Sequence, residues 1–185
     1  MSTVKKINHL SVDEYLEGEK HSGVRHEYVR GKVYAMVGTS KRHNLIAFGL
    51  ASSIRSHLRG SPCRVFISDV KVRVDDVFYY PDILVACAKT DIDSYYETQP
   101  MLIIEVLSES TEARDRFEKR LAYQTLDSLK EYVLVAQNKV GVEIHRRVAD
   151  GWEVEVYGQG EIAEFRSIRM ANPVDEIYEE VLGPG

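Results

Sequence analysis

The chain has 185 residues, a formal net charge of −5, 44% apolar residues and 29% charged residues. That length suits one domain, residues 1–185, with a sizeable core, and no run approaches the roughly 20 apolar residues of a membrane-spanning helix. The acidic balance argues against a general nucleic-acid coat, since such proteins are usually basic, while a carboxylate cluster that binds cations would itself add negative charge.

Met1 to Asn8 lack the apolar run of a secretory signal, so a cytoplasmic protein is expected. Ser11-Val12-Asp13-Glu14 has the form of a capping box and opens a short helix. His26 to Val37 reads as a hairpin turning at Arg30-Gly31. Thr39 or Ser40 caps the next helix, whose apolar residues from Leu45 to Leu58 recur at helical spacing until Gly60-Ser61-Pro62 stops it. Three strands follow, Arg64 to Val74, Tyr79 to Cys87 and Met101 to Leu107. Ser110 or Thr111 caps a helix reaching about Leu126. Glu131 to Gln137 is a short strand, and Val142 to Arg147 and Trp152 to Tyr157 form a hairpin around Asp150-Gly151. From Ile162 the tail is expected as a short helix or loop. This order predicts an α/β (α+β) fold with a mixed sheet and helices on its faces.

Several chemistries find no support. The six histidines are scattered, without HExxH or zinc-finger spacing, and no phosphate-binding glycine loop is present. Cys63 and Cys87 have no CxxC partner and read as two reduced, separate thiols. His43-Asn44 matches an HNH nuclease only weakly, because it falls at a helix start without a second histidine at a suitable distance.

The residues that suggest chemistry are acidic. Asp82, in Tyr80-Pro81-Asp82-Ile83, and Glu105, in Ile104-Glu105-Val106, each place a carboxylate in an apolar strand. Burying such a group is costly unless something positive meets it. Two of them on adjacent strands solve the problem together by binding a hard cation such as Mg²⁺, with the Val106 carbonyl as a third ligand. The bland alternative is that each acid caps its strand or pairs with an arginine. On the following helix Asp115, Lys119 and Tyr123 share one stripe at i, i+4, i+8. If that stripe faces the sheet, Lys119 reaches the acids and supplies positive charge. If it faces solvent, Lys119 forms a weak surface pair. In either case Lys119 is expected to be exposed or half-exposed and to contribute little to stability. A second line, Ala113-Phe117-Leu121, leaves open which side faces the core. Lys71 is the rival cation, expected as an edge contact, and Glu27 reads as an ordinary hairpin residue.

Pro81-Asp82, the run Glu105-Val106-Leu107-Ser108-Glu109-Ser110-Thr111, and Asp115, Lys119 and Tyr123 closely resemble a large bacterial family of restriction-endonuclease-like proteins in the PD-(D/E)XK nuclease superfamily. The resemblance extends to Glu27-Tyr28-Val29-Arg30-Gly31 and His43-Asn44, and so spans nearly the whole chain. It implies a core of helix, three strands, helix and strand, flanked by N-terminal and C-terminal hairpins. It implies Asp82 and Glu105 as ligands for Mg²⁺ or Mn²⁺, DNA as substrate, and Glu27 as a further site residue. The superfamily's lysine, two residues after the glutamate, is here Leu107, and the resemblance moves its role to Lys119. The expected function is a metal-dependent DNA endonuclease acting as a homodimer; the alternative is a nucleic-acid-binding or interaction module that kept the fold without turnover.

Overall fold

A computed structural model of the chain describes residues 9–88 and 94–182; the expectation drawn from Met1 to Asn8 lies outside them. Helix α1 (Val12–His21) begins at the predicted capping box, where Ser11 and Glu14 each satisfy the other's backbone N–H. Strands β1 (His26–Val29) and β2 (Lys32–Ala35) form the expected hairpin. Its two-residue turn has positive φ at both Arg30 (46°) and Gly31 (88°), the geometry that matches strand twist. A side chain at Gly31 would also collide with the His9 ring.

Helix α2 (Lys41–His57) is capped by the Ser40 hydroxyl, which accepts from the His43 N–H. It buries Ile46, Leu50 and Ile54 completely or nearly so. Each such side chain is worth about 1.5–3 kcal/mol of transfer free energy.

The first two strands read from sequence are each broken, because they serve two sheets. Arg64 to Val74 divides into β3 (Arg64–Ile67) and β4 (Lys71–Val74), with Ser68 at φ 54° redirecting the chain. Tyr79 to Cys87 divides at Pro81, which has no N–H for a ladder. The pieces are β5 (Val77–Tyr79) and β6 (Ile83–Ala86). Asp82 therefore sits at the mouth of β6 rather than inside a strand.

Strands β7 (Tyr96–Glu97) and β8 (Leu102–Leu107) follow. After β8 the chain winds as a π-helix over Arg114–Lys119 and continues as α3 (Arg120–Gln124). Then come β9 (Glu131–Ala136), β10 (Val142–Val148) and β11 (Gly151–Tyr157). The tail holds a hairpin not expected from the sequence, β12 (Ile162–Phe165) with β13 (Met170–Pro173), before α4 (Val174–Leu182).

The larger sheet has the order β11-β10-β9-β8-β6-β3, antiparallel except for the parallel pair β8–β9. Its helices and strands run α2, β3, β6, β8, α3, β9, which is the expected core of helix, three strands, helix and strand, and β10–β11 is the expected C-terminal hairpin. The smaller sheet, β2-β1-β5-β4-β7, contains the N-terminal hairpin. One face of the larger sheet meets α2 and α4 through Ile104, Val106, Val133 and Val135. The other meets α3 and the smaller sheet through Ile103, Leu107, Tyr123, Tyr79 and Val72.

Two expectations are overturned by packing. Cys63 and Cys87 are not separate thiols but a disulfide. The β3–β6 register, which pairs Arg64 with Ala86, sets the next residues outward opposite each other with Cα atoms 3.9 Å apart. Lys71 is not an edge contact. It is buried, donates to the Tyr80 hydroxyl at 3.1 Å and faces the Tyr15 and Tyr80 rings, and burial depresses its pKa.

A candidate active site where the two sheets part

The β6–β8 register pairs Ile83 with Ile104, so one step further Asp82 stands opposite Glu105. Opposed residues of an antiparallel pair point to one face. The two acids are accordingly neighbours, and the Asp82 N–H donates to Glu105 Oε2 at 3.3 Å. Asp82 Oδ2 accepts the Val106 N–H at 2.7 Å and lies 3.2 Å from His43 Nε2.

Lys119 completes the cluster from the π-helix. Its Nζ lies 3.2 Å from Glu105 Oε1, 3.1 Å from Glu27 Oε1 and 3.1 Å from Asp115 Oδ1. The Asp115 contact is a close ion pair without an aligned hydrogen bond. The charged stripe thus faces the sheet: Lys119 is 5% exposed, whereas Phe117 and Leu121 of the rival line are 63% and 59% exposed. The expectation that Lys119 contributes little to stability is corrected by that burial. Glu27, read from sequence as an ordinary hairpin residue, joins the cluster because β1 pairs with β5, which leads into Asp82. Its second oxygen meets Arg114 Nη1 at 2.9 Å. From sequence Arg114 reads, with Arg116 and Arg120, as part of a run that could face phosphate but is more often a solvated face; here its guanidinium also covers the Tyr34 ring.

These side chains border one cavity of about 580 Å³, along with the start of α2. A second cavity of about 390 Å³ lies beside Cys63 and contains none of them. Burial raises the Glu105 pKa well above the carboxylate range; Lys119 pulls it down, while Asp115, Asp82 and Glu27 push it up. Burial likewise raises Asp115. Burial alone would depress Lys119, but Glu105, Glu27 and Asp115 together outweigh it and hold its pKa well above the ordinary value.

Among the described residues no three His, Cys, Asp or Glu side chains form a ready-made cation cage. The donor set still fits a hard divalent cation, which takes one or two carboxylates and keeps waters for the rest. Among the described residues the four carboxylates Glu27, Asp82, Glu105 and Asp115 meet two permanent cations, Lys119 and Arg114. A divalent ion would balance that excess.

One consequence is measurable without any substrate. Because Glu105 has a raised pKa when folded, the folded protein binds a proton there that the unfolded chain has already lost. Its contribution to stability is therefore greatest below the ordinary carboxylate pKa and declines as pH rises toward the folded value. In chelator, Glu105→Gln should gain in melting temperature relative to wild type as pH is raised from about 4.5. A constant difference across pH 4 to 8 would mean that Glu105 is not destabilised by its surroundings.

The comparisons with known proteins agree with this architecture. A putative nuclease of Anabaena variabilis belonging to DUF820 superimposes with a TM-score of 0.76 at 18% identity, covering 91% of this chain and 97% of that one. Two Synechocystis proteins align over nearly full length. Protein slr1290 is 37% identical over 91% of both chains. Protein sll1609 is 29% identical over 92% of this chain and all of its own. Residues 12–169 match the Uma2 model, described as "Putative restriction endonuclease". With most of its length under that model and a relative above 30% identity, the chain belongs to the Uma2 restriction-endonuclease-like family.

Proposed function

We propose that residues 1–185 act as a single nuclease-like domain that hydrolyses DNA phosphodiester bonds with Mg²⁺ or Mn²⁺. The observation that carries this reading is the placement of Asp82 opposite Glu105 with the Lys119 ammonium 3.2 Å from Glu105. Asp82 and Glu105, with the Val106 carbonyl, would hold the cation, which supplies Lewis acidity toward the phosphate and lowers the pKa of a bound water. Glu27 and Asp115 hold Lys119 charged and in place. From there its ammonium offsets negative charge that grows on the phosphate oxygens. Arg114, anchored to Glu27 at the cavity wall, is a second donor toward a phosphate. Action on cellular DNA puts the protein in the cytoplasm; among the described residues no helix is long and apolar enough to cross a membrane.

The test is cleavage of supercoiled plasmid in Mg²⁺, in Mn²⁺ and in chelator, with Asp82→Ala as control. Metal-dependent nicking by wild type alone supports the reading. Intact plasmid under every condition, with binding to DNA retained, would favour a module without turnover.

Cutting both strands needs two sites or two sequential events, and one chain of this size offers one site. A two-fold dimer supplies the second by symmetry. Light scattering should give about twice the 21.1 kDa chain mass; a monomer mass at working concentration would count against concerted double-strand cutting.

A further inference from the structure

Asp82 presents its two oxygens unequally. Oδ2 accepts the Val106 N–H at 2.7 Å and has His43 Nε2 beside it at 3.2 Å, a close ion-pair contact without an aligned hydrogen bond. Among the described residues Oδ1 has no hydrogen-bond or ion-pair partner, and Asp82 borders the cavity. His43 is well placed to fix this asymmetry. It lies in the first turn of α2, its backbone N–H is capped by Ser40, and its helix is pinned by Ile46, Leu50 and Ile54. Its ring is nearly buried, 7% exposed, and also faces the Val106 backbone.

The other ring nitrogen gives an independent reason to look for a role. His43 Nδ1 is buried with no partner among the described residues. An unpaired buried polar atom is destabilising, and an apolar side chain would fill the space without that penalty. Packing therefore does not explain an imidazole here. Its Nε2 contact with Asp82 does.

We propose that His43 is a positioning residue whose Nε2–H holds Asp82 Oδ2 against the Val106 amide, so that Oδ1 is presented to a divalent cation in the cavity. The proposal rests on the nuclease reading above. It divides the work around Asp82: one oxygen is locked by donors from α2 and β8, and the other is left for the ion. Groups that orient metal ligands in this way typically change metal affinity by 10–100-fold when removed. His43 is not itself a ligand on this account, because Nε2 carries the proton shared with Asp82.

The experiment measures Mn²⁺ binding to the full chain by calorimetry and electron spin resonance. Wild type is compared with His43→Ala, His43→Gln and Asp82→Ala, with circular dichroism as a check on folding. His43→Ala should bind Mn²⁺ about 10–100-fold more weakly. His43→Gln, whose amide N–H falls near the position of Nε2, should recover most of the loss. Wild-type bound Mn²⁺ should show no nitrogen hyperfine coupling from His43. Equal affinity in His43→Ala, with binding still lost in Asp82→Ala, overturns the positioning role and leaves the nuclease reading standing. A nitrogen coupling that disappears in His43→Ala makes His43 a direct ligand and also overturns the proposal. Failure of wild type to bind Mn²⁺ removes the cation site and this proposal with it. A metal-free measurement keeps the test open if His43→Ala does not fold. Nitrogen-15 spectra of the ring should place the neutral imidazole's proton on Nε2, and its signal should move in Asp82→Asn. A proton on Nδ1 would overturn the proposal.

Discussion

Replacing Lys119 by alanine is expected to destabilise the metal-free protein by about 3–5 kcal/mol, the usual cost of removing one partner from a buried ion cluster. For a chain of this length that is a fall in melting temperature of roughly 6–20 °C. The substitution removes the one ammonium that lies 3.1–3.2 Å from Glu27, Glu105 and Asp115, and leaves three buried carboxylates facing one another. Thermal unfolding in chelator checks it. Adding Glu27→Gln to Lys119→Ala should recover part of the loss, because one of the stranded charges is then neutral. If Lys119 has the proposed role at the phosphate, the cleavage rate should also fall on the order of 100-fold or more. A melting temperature within a degree of wild type would return Lys119 to an exposed helix surface, contrary to its burial here.

Asp82→Ala should have the largest effect on turnover and a small one on stability. Loss of a cation's Lewis acidity is worth several kcal/mol in the transition state, and every 1.36 kcal/mol is a factor of ten. The expected loss is thus roughly 1,000-fold or more in plasmid cleavage. Asp82→Asn separates the two roles of the side chain. Its amide oxygen can still accept the Val106 N–H, but the charge is gone. It should be as inactive as alanine while melting close to wild type, since Asp82 is only partly buried. Cleavage by Asp82→Asn at the wild-type rate would remove the carboxylate charge from the mechanism.

Much of this site was legible in the sequence because carboxylates in apolar strands are conspicuous. Asp82 and Glu105 stand out against Ile83, Leu84, Ile103 and Ile104, and their convergence follows from strand order alone. The helix that carries Lys119 was harder to read. Amphipathic patterning assumes that apolar side chains turn inward, and here Phe117 and Leu121 face out while Asp115 and Lys119 face in. Charge neutralisation within the cluster outweighs the ordinary preference. Glu27 was named from the resemblance, Arg114 only as part of a charge run that could face phosphate, and His43 was left without a role, because their contacts depend on how two sheets and α2 meet. The disulfide was illegible for a similar reason. Cys63 and Cys87 are 24 residues apart, and only the register of β3 against β6 makes them adjacent. The tail hairpin escaped notice because β12 and β13 are four residues each and are joined through Arg169 in the left-handed region.

The π-helical turn at Arg114–Lys119 makes helix winding matter here as much as residue identity. A π turn closes its hydrogen bond one residue later than an α turn. The extra residue offsets the wider winding, so the six residues here sweep about the same angle as one residue fewer at 3.6 residues per turn. Were the stretch to wind as an α-helix at unchanged length, the residues before it would rotate by about 100° relative to those after it. Arg114 and Asp115 would then swing away from the face held by Tyr123, although every amino acid kept its identity. In a comparison of homologous chains, a one-residue gap in this segment therefore marks a switch to α winding that keeps the charged face in register, and is not to be weighed as the loss of a charged residue in the cluster.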